Sequence, residues 1–256
     1  MLIGCFGNAF AAAEAMKTIE GPMENEQKNA WLSGSSSRLN IIGRHGDTET
    51  WKEKTRMEIY YRDIILRDYR ESDIEDDIRW NTVETEWALW DAPWETEEDL
   101  ASFDPQSFRE EEMEGLKKTP QGFRWSLELD MSEGMHIGGV NAYLIDEDFQ
   151  WIHEKDLKPG QKSFPALGVE VNESSCWGRG LGTQGLAAYI RYFLDNGKRE
   201  LYLQTWSGNF RMLRCAEKLG FTECNRIVGM RHVRGAVYDG LTFKLDVEKF
   251  EKMFPS

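Results

Sequence analysis

The sequence predicts an α/β fold in which helices pack against a mixed β-sheet. Residues 123–129 alternate large apolar side chains with polar ones, which is the pattern of a half-buried strand. Residues 183–195 carry apolar side chains on one helical face, as a helix packed on a sheet does. A glycine-rich stretch over residues 178–182 separates an apolar strand from this helix. Strands that run into helices in this order indicate an α/β sandwich.

The other elements follow from signals along the chain. Ser72 and Glu75 have the spacing of a capping box, which predicts a helix beginning at residues 72–73. Asn196 and Gly197 end the helix over 183–195, and Gly220 ends a later helix. In chain order, the remaining predicted elements are a first strand within 59–67, an acidic helical segment over 96–118 broken near Pro105, strands over 135–145, 166–171 and 200–206, a helix over 209–219, and a terminal strand pair over 221–231 and 237–245.

The first 56 residues differ in character from the rest of the chain. They contain many small and polar residues and show no convincing strand pattern. We therefore expect a poorly ordered N-terminal extension over residues 1–56 and a single folded domain over residues 57–256. An apolar content of 40% is sufficient for a well-buried core.

Composition narrows the class of function. A net charge of −14 argues against nucleic-acid binding and suits a cationic partner such as an amine, although an acidic surface that keeps a protein soluble explains it equally well. No apolar run is long enough to cross a bilayer, and no basic residue precedes the apolar N-terminus as in a secretory signal. The four cysteines show neither metal-ligand spacing nor a disulfide framework. We expect a cytoplasmic protein with no metal, membrane or nucleic-acid partner.

The segment 169–184 is the strongest functional signal. Gly178, Gly180 and Gly182 permit positive φ and a close approach of the backbone to a ligand. The helix that follows begins with unpaired N–H groups, which favour a phosphate or pyrophosphate, and Arg179 could add a positive charge. The loop lacks the Gly-Lys-Ser/Thr ending of a nucleotide-triphosphate loop. Its third glycine also does not fall at the offset that a dinucleotide-binding loop requires.

Two motifs carry a resemblance to a known family. Residues 177–183, Trp-Gly-Arg-Gly-Leu-Gly-Thr, resemble the acyl-CoA pyrophosphate loop of the GNAT acetyltransferases. Trp177 stands where that family most often has Gln or Arg, and this departure is similar to the RimJ/RimL-type branch that acetylates ribosomal-protein N-termini. Residues 209–221 look like the family's Asn-led helix that ends in Glu-Lys-x-Gly-Phe. Residues 65–67 with Asp73 match the branch's first strand and helix, and the resemblance covers about residues 57–250.

The resemblance implies the acyl-CoA N-acyltransferase fold, a mixed and mostly antiparallel central sheet flanked by helices, with acetyl-CoA as cosubstrate. The fourth strand of that fold binds the pantetheine arm where two neighbouring strands separate, and the loop amides bind the pyrophosphate. Thr183 and Asn209 are equally well explained as helix N-caps, and Arg214 as an exposed helix residue. The implied cofactor-binding residues are Val169, Val171, Gly178, Arg179, Gly180, Leu181, Gly182, Thr183, Asn209 and Arg214.

The usual catalytic groups of the family are missing. Its tyrosine and serine acids correspond to Ala216 and Met212, and a base found on the fifth strand corresponds to Gln204. Glu170 and Tyr238 remain as candidates. Burial would raise the pKa of Glu170 to a useful value, but a place on the wet face of its strand is as reasonable. Tyr238 resembles the branch's final-strand motif, or it simply packs.

A tryptophan-rich, acidic segment over residues 80–95 suggests the acceptor site. Aromatic faces beside carboxylates suit an ammonium group, so we expect Trp87 and Trp90 to bind the acceptor, with core packing as the alternative. We predict an acetyl-CoA-dependent N-acetyltransferase, monomeric or homodimeric, that acts on a protein N-terminus or a polyamine-like small amine. The missing acid and base leave a non-catalytic acyl-CoA sensor as the second interpretation.

Overall fold

The computed structural model describes residues 56–94, 96–118 and 120–255. The extension predicted over residues 1–56 therefore lies outside the described residues except for Arg56. Within them, the chain forms eight strands and six α-helices. The strands are β1 (Glu58–Tyr61), β2 (Ile64–Arg67), β3 (Ser126–Met131), β4 (His136–Ile145), β5 (Phe164–Val171), β6 (Tyr202–Trp206), β7 (Phe221–Val233) and β8 (Ala236–Leu245). The helices are α1 (Asp73–Thr82), α2 (Thr96–Ser102), α3 (Pro105–Gly115), α4 (Leu181–Asp195), α5 (Phe210–Leu219) and α6 (Val247–Met253), with 3₁₀ turns at Thr85–Leu89, Glu154–Asp156 and Ser174–Cys176.

The strands form one mixed, mostly antiparallel sheet with the order β1-β2-β3-β4-β5-β6-β8-β7. The β5–β6 pair is parallel, and the other neighbouring pairs are antiparallel. A single register position, Ala166 opposite Tyr202, joins β5 to β6. The two strands therefore separate toward the C-terminal end of β5 and open a wedge in the sheet. This is the fold that the sequence predicted.

Helix α4 fills one face of the sheet and makes most of its buried contacts there. Leu186, Ile190 and Phe193 are fully buried against it. Gly185 faces Leu129, and a Cβ at this glycine would lie only 3.1 Å from the Leu129 Cδ1 atom. The absence of a side chain at residue 185 thus lets the helix approach the sheet closely. Among the described residues, no helix is long and apolar enough to span a bilayer.

Several element boundaries differ from the predictions for local reasons. The strand expected within 59–67 is a hairpin, because the chain turns at Arg62 with φ 49°. The segment 96–118 breaks near Pro105 as predicted, and Asp104 caps α3 by accepting hydrogen bonds from the amides of Gln106 and Ser107. The strand expected from residue 123 begins three residues later, because the Phe123 ring stacks on Tyr192 of α4, with centroids 4.8 Å apart.

Helix α1 begins where the sequence predicted, but the predicted capping box does not form. Ser72 has helical dihedral angles and its hydroxyl makes no capping hydrogen bond to the backbone. The Asp73 carboxylate instead accepts a hydrogen bond from the Arg70 amide at 2.7 Å. The first turn of α1 is therefore fixed by a carboxylate that also holds a buried arginine.

Arg67 is the centre of a buried ion network. Its Nη1 lies 2.6 Å from an Asp73 oxygen and its Nε lies 2.5 Å from an Asp130 oxygen. All three side chains are almost completely excluded from solvent. One guanidinium thus joins β2, β3 and α1 on the side of the sheet that carries the acidic residues described below.

We expect Arg67→Met to destabilise the protein by about 3–5 kcal/mol, because two buried carboxylates would lose the guanidinium that pairs with both. Urea unfolding at neutral pH measures the change. Arg199→Met is the control, since Arg199 forms an exposed pair with Glu251 and its loss should cost no more than about 1 kcal/mol. Equal effects of the two substitutions would contradict the structural role of the network.

Candidate active site

The glycine-rich loop forms an anion-binding turn at the start of α4. Gly178 and Gly180 adopt φ values of 77° and 81°, which L-residues with a Cβ rarely adopt. Gly180 is the N-cap and α4 begins at Leu181, so the first amides of the helix have no intrahelical partner. Alternating backbone conformations of this kind create concave groups of N–H donors that bind anions. Thr183 lies within the first turn, so the alternative in which it is the N-cap is wrong.

The exposed edge of β5 lies beside this loop. Because Asn172 donates its amide to Ile137 of β4, the alternation of the strand turns the backbone groups of Val169 and Val171 toward the wedge. The Val171 carbonyl already accepts a hydrogen bond from the Trp177 indole at 2.6 Å. Val169 therefore presents both its N–H and C=O to the wedge, whereas Val171 offers only its N–H. Trp177, the residue that departs from the usual family loop, thus anchors the loop to the strand.

A cavity of about 520 Å³ extends from the β5 edge along the loop to α5. Arg211, Arg214 and Lys218 line it from one face of α5 and supply positive charge opposite the loop amides. Sequence reasoning found only Arg214, although the i, i+3, i+7 spacing of the three residues would have revealed the common face. Amides and cations that converge on one cavity fit a ligand with several phosphates, as coenzyme A has.

The side chain of Arg179 is not among the cations that line this cavity. Its exposed guanidinium lies 3.6 Å from the Met131 sulfur and 3.8 Å from the Cys176 sulfur, and it is not among the residues that line the cavity. The charge that the sequence suggested beside the anion comes from α5 instead. A contribution of Arg179 through its main-chain amide stays a prediction.

Asn209 connects the 520 Å³ cavity, called the cofactor cavity below, to the tryptophan-rich segment. Its Oδ1 accepts from the Met212 amide at 3.0 Å, which confirms the predicted N-cap of α5. Its Nδ2 donates to the Trp90 carbonyl at 2.8 Å. The Trp206 indole of β6 donates to the same carbonyl and to that of Asp91. The backbone after the 3₁₀ turn at Thr85–Leu89 is therefore held against α5 and β6.

The two tryptophans predicted to bind the acceptor occupy different environments. Trp87 is 5% exposed, packs with Trp80 and donates its indole N–H to the Trp80 carbonyl. Trp90 is less buried and lines the cofactor cavity, where the Arg211 guanidinium lies 4.6 Å from its ring centroid and 4.2 Å from that of Trp177. Trp87 is therefore largely a core residue. Trp90 lies between the glycine-rich loop and the tryptophan-rich segment.

Glu170 lies where two cavities meet. It lines the cofactor cavity and also a second cavity of about 670 Å³. Its Oε1 accepts a hydrogen bond from Asn141 at 3.2 Å. Burial, followed by the negative charge of Asp91, raises the pKa of Glu170 well above the usual glutamate range. Glu170 is partly exposed where the two cavities meet, and a role as general base stays a prediction.

Tyr238, the other catalytic candidate, lies elsewhere. It is on β8 opposite Arg231, and its ring packs edge-on against Trp206 with centroids 4.9 Å apart. Tyr238 lines neither of the two cavities. The packing alternative accounts for this position. Gln204 is likewise occupied, since it accepts from Tyr143 and donates to Phe149 and Thr242.

The second cavity is acidic on the side nearest Glu170. Asp77, Glu112 and Glu128 line it from three different elements, together with Trp87. Burial and repulsion from Glu128 raise the pKa of Asp77 to about 8, and the same two causes raise the pKa of Glu112. Sequence reasoning missed these three residues because no local spacing links α1, α3 and β3.

Four cationic side chains also line the second cavity, namely Arg56, Lys117, Lys118 and Arg124. Arg124 forms a buried pair with Asp68, and Lys117 pairs with Glu114 outside the acidic group. His136 contacts Glu128 at 3.1 Å and also Asp76, so one imidazole serves several carboxylates. Among the described residues, no group of three or more His, Cys, Asp or Glu side chains has the arrangement of a metal site.

Comparison with known proteins agrees with this geometry. The family model described as an acetyltransferase (GNAT) domain matches residues 63–222. No curated protein matches the sequence significantly. Among solved structures, a GNAT-family acetyltransferase from Bacillus anthracis is similar with a TM-score of 0.51 and 11% identity, over 74% of this chain and 98% of that one.

Two further structures share the fold at similarly low identity. RimL, a ribosomal L7/L12 alpha-N-protein acetyltransferase in complex with coenzyme A, has a TM-score of 0.51 and 13% identity, over 71% of this chain and 93% of that one. A chimera of spermidine N-acetyltransferase SpeG from Vibrio cholerae and hSSAT has a TM-score of 0.50 and 14% identity, over 73% and 98%.

The family match covers more than half of the chain and includes both the β5 edge and the loop that precedes α4. The mixed, mostly antiparallel sheet opens at a wedge, and the amides and cations that face the wedge fit coenzyme A. The chain therefore belongs to the GNAT family and is an N-acetyltransferase that uses acetyl-CoA as its acetyl donor.

Proposed function

We propose that this enzyme acetylates a small, polyamine-like primary amine, with Glu170 as the general base. The observation that carries the proposal is the meeting of an acidic cavity and a cationic cavity at Glu170. The cationic cavity suits the phosphates of acetyl-CoA, and the acidic cavity suits a positively charged acceptor. Glu170 lines both, so it lies where donor and acceptor would react.

The reaction needs an uncharged amine beside the thioester. An ordinary alkylamine is protonated at neutral pH, so a base must remove one proton before attack. In the proposed reaction, Glu170 takes that proton and the amine nitrogen forms a bond to the acetyl carbonyl carbon. The C–S bond then breaks, the coenzyme A thiolate leaves with the electron pair, and the second proton of the attacking nitrogen passes through water to that thiolate. A thiolate is a good leaving group, so this step does not require the tyrosine acid of other family members.

The acidic group beyond Glu170 favours a substrate with a second cation. Asp77, Glu112 and Glu128 repel one another, and a second ammonium group in this cavity would relieve that repulsion. A protein N-terminus with a neutral chain would leave this repulsion in place. An N-terminal acceptor of the RimJ/RimL type is the second candidate, and it is favoured by the loop beginning with Trp177. We place the reaction in the cytoplasm, where reduced thiols such as those of Cys176 and Cys215 persist.

Release of the coenzyme A thiol in the presence of different acceptors tests the proposal. The panel contains a linear triamine, a diamine, a monoamine of equal length and a neutral peptide with a free N-terminus. We expect kcat/KM to be highest for the triamine and lowest for the monoamine. A preference for the peptide over every amine would replace the polyamine proposal by the N-terminal one.

Glu170→Gln should reduce kcat by at least about 100-fold, because the amide keeps the shape and can still bond Asn141 but cannot accept a proton. Affinity for coenzyme A, measured by calorimetry, should be unchanged. In the wild-type enzyme the acid limb of kcat/KM should lie well above the ordinary glutamate pKa, because activity appears only as pH rises through the raised pKa of Glu170. The control is Glu147→Gln in the exposed loop after β4. Full activity of the Glu170 variant would exclude Glu170 as the base.

Arg214→Ala should raise the Kd for coenzyme A by about tenfold, because one charged contact to a phosphate is lost. The salt dependence of binding should decrease at the same time. Calorimetry at two ionic strengths measures both changes, with Arg199→Ala as a control that removes an exposed arginine far from the cavity. If the two variants behave alike, Arg214 is only an exposed helix residue.

Glu112→Gln should raise KM for the triamine by about three- to tenfold with little change in kcat, because it removes one charge from the acidic cavity but none from the reacting centre. Glu111→Gln is a matched control, since Glu111 is the preceding residue of α3 and is exposed. Steady-state kinetics with triamine and monoamine provide the measurement. An equal KM change for both amines would show that Glu112 does not bind a second cation.

A further inference from the structure

Asp91 lies beside the reacting centre, and the surrounding contacts fix its position. The Trp206 indole donates to the Asp91 carbonyl at 3.0 Å, and the Asp91 amide donates to the Trp87 carbonyl at 3.4 Å. The Nδ2 atom of Asn209, the N-cap of α5, donates to the carbonyl of the preceding residue, Trp90, at 2.8 Å. The backbone of Asp91 is therefore tied to β6, α5 and the preceding 3₁₀ turn, which are elements that form the wedge and its cavity.

The side chain of Asp91 faces the same space as Glu170. Both residues line the cofactor cavity, and Trp87, whose carbonyl binds the Asp91 amide, lines both cavities together with Glu170. The groups that face Glu170 come from four elements and include three carboxylates and one amide. They are Asp91 from the segment after the 3₁₀ turn, Glu128 from β3, Asp77 from α1 and Asn141 from β4.

Asp91 differs from the other two carboxylates in its position. Glu128 and Asp77 line the acidic cavity but not the cofactor cavity, whereas Asp91 lines the cofactor cavity but not the acidic one. Glu128 is also compensated by His136, and Asp77 accepts a hydrogen bond from Tyr69 at 2.6 Å. Asp91 is thus the carboxylate next to Glu170 on the acetyl-CoA side of the junction.

We propose that Asp91 is a positioning residue for acetyl transfer, which acts through Glu170 by placing a second negative charge where the acceptor amine meets the cofactor cavity. The inference rests on the proposed role of Glu170 as the base. It singles out one carboxylate of the acidic, tryptophan-rich segment 80–95 that the sequence suggested as the acceptor site. The charge has two physical consequences, which affect different kinetic quantities.

First, the charge strengthens the base. A negative group close to Glu170 disfavours its ionised form, so Glu170 holds an accepted proton more firmly than an isolated carboxylate would. Second, the two carboxylates together attract the acceptor's ammonium group to the junction before it loses its proton. A carboxylate pair in this position therefore serves both the capture and the deprotonation of the amine.

The test is the pH dependence of kcat/KM for Asp91→Asn, measured with the best amine of the acceptor panel. Removing the charge lowers the pKa of Glu170, so activity should appear at lower pH as the carboxylate ionises earlier. We expect the acid limb to move down by about one pH unit and the plateau rate to fall by roughly three- to tenfold, because a weaker base transfers the proton less readily.

Two variants keep the result interpretable. Asp91→Glu retains the charge and should keep the acid limb within about a few tenths of a unit of wild type, even if the plateau falls. Asp148→Asn removes a charge from an exposed loop and should change neither quantity. Thermal unfolding of each variant, with and without coenzyme A, identifies any loss of folded protein.

The outcomes separate this inference from the proposed function. If Glu170→Gln abolishes activity but Asp91→Asn leaves the acid limb in place, Glu170 is the base and the inference about Asp91 is wrong. If Glu170→Gln retains full activity, the proposed mechanism fails, and the inference fails with it. A shift of the acid limb in Asp91→Asn that Asp91→Glu reverses, together with loss of activity in Glu170→Gln, supports both.

Discussion

The separation of β5 from β6 is the constraint on which the site depends. The two strands share one register position, Ala166 opposite Tyr202, and then diverge. Backbone groups that would otherwise pair within the sheet therefore remain available on Val169 and Val171, in the middle of a rigid framework. The divergence also brings the start of α4 and one face of α5 to opposite sides of the same cavity. A continuous sheet would offer neither the free edge nor the space.

The two cavities that meet at Glu170 differ in their charged residues. Amides of the loop and cations of α5 line one cavity, while carboxylates of α1, α3 and β3 line the other, where we propose that the acceptor binds. Glu170 is shared by both. Because like charges on the acceptor side are partly buried, they raise one another's pKa, and a bound cation would stabilise them. In the proposed function, the same repulsion favours the binding of a cationic ligand.

Hydrogen bonds and ring contacts also connect the cofactor cavity to the tryptophan-rich segment. Asn209 caps α5 and holds the Trp90 carbonyl, Trp206 holds the same carbonyl and that of Asp91, and Trp177 joins the loop to β5. Arg211 lies between the rings of Trp90 and Trp177. A change in the donor cavity would therefore reach the acceptor segment through a few short contacts. The tryptophans thus do more than fill a core, because Trp177 and Trp206 anchor backbone at the boundary of the site.

The sequence by itself determined the fold class, the loop and the helix that follows it, because glycine spacing and apolar periodicity are local properties of the chain. It also identified Glu170 as an unusual carboxylate within an apolar strand. Only the tertiary structure decided which residues meet. Arg179 turns away while Arg211 and Lys218 turn inward, Tyr238 packs on Trp206, and the carboxylates of Asp77, Glu112, Glu128 and Asp91 converge from four separate segments. No sequence spacing encodes that convergence, because it arises from how the sheet brings distant segments together.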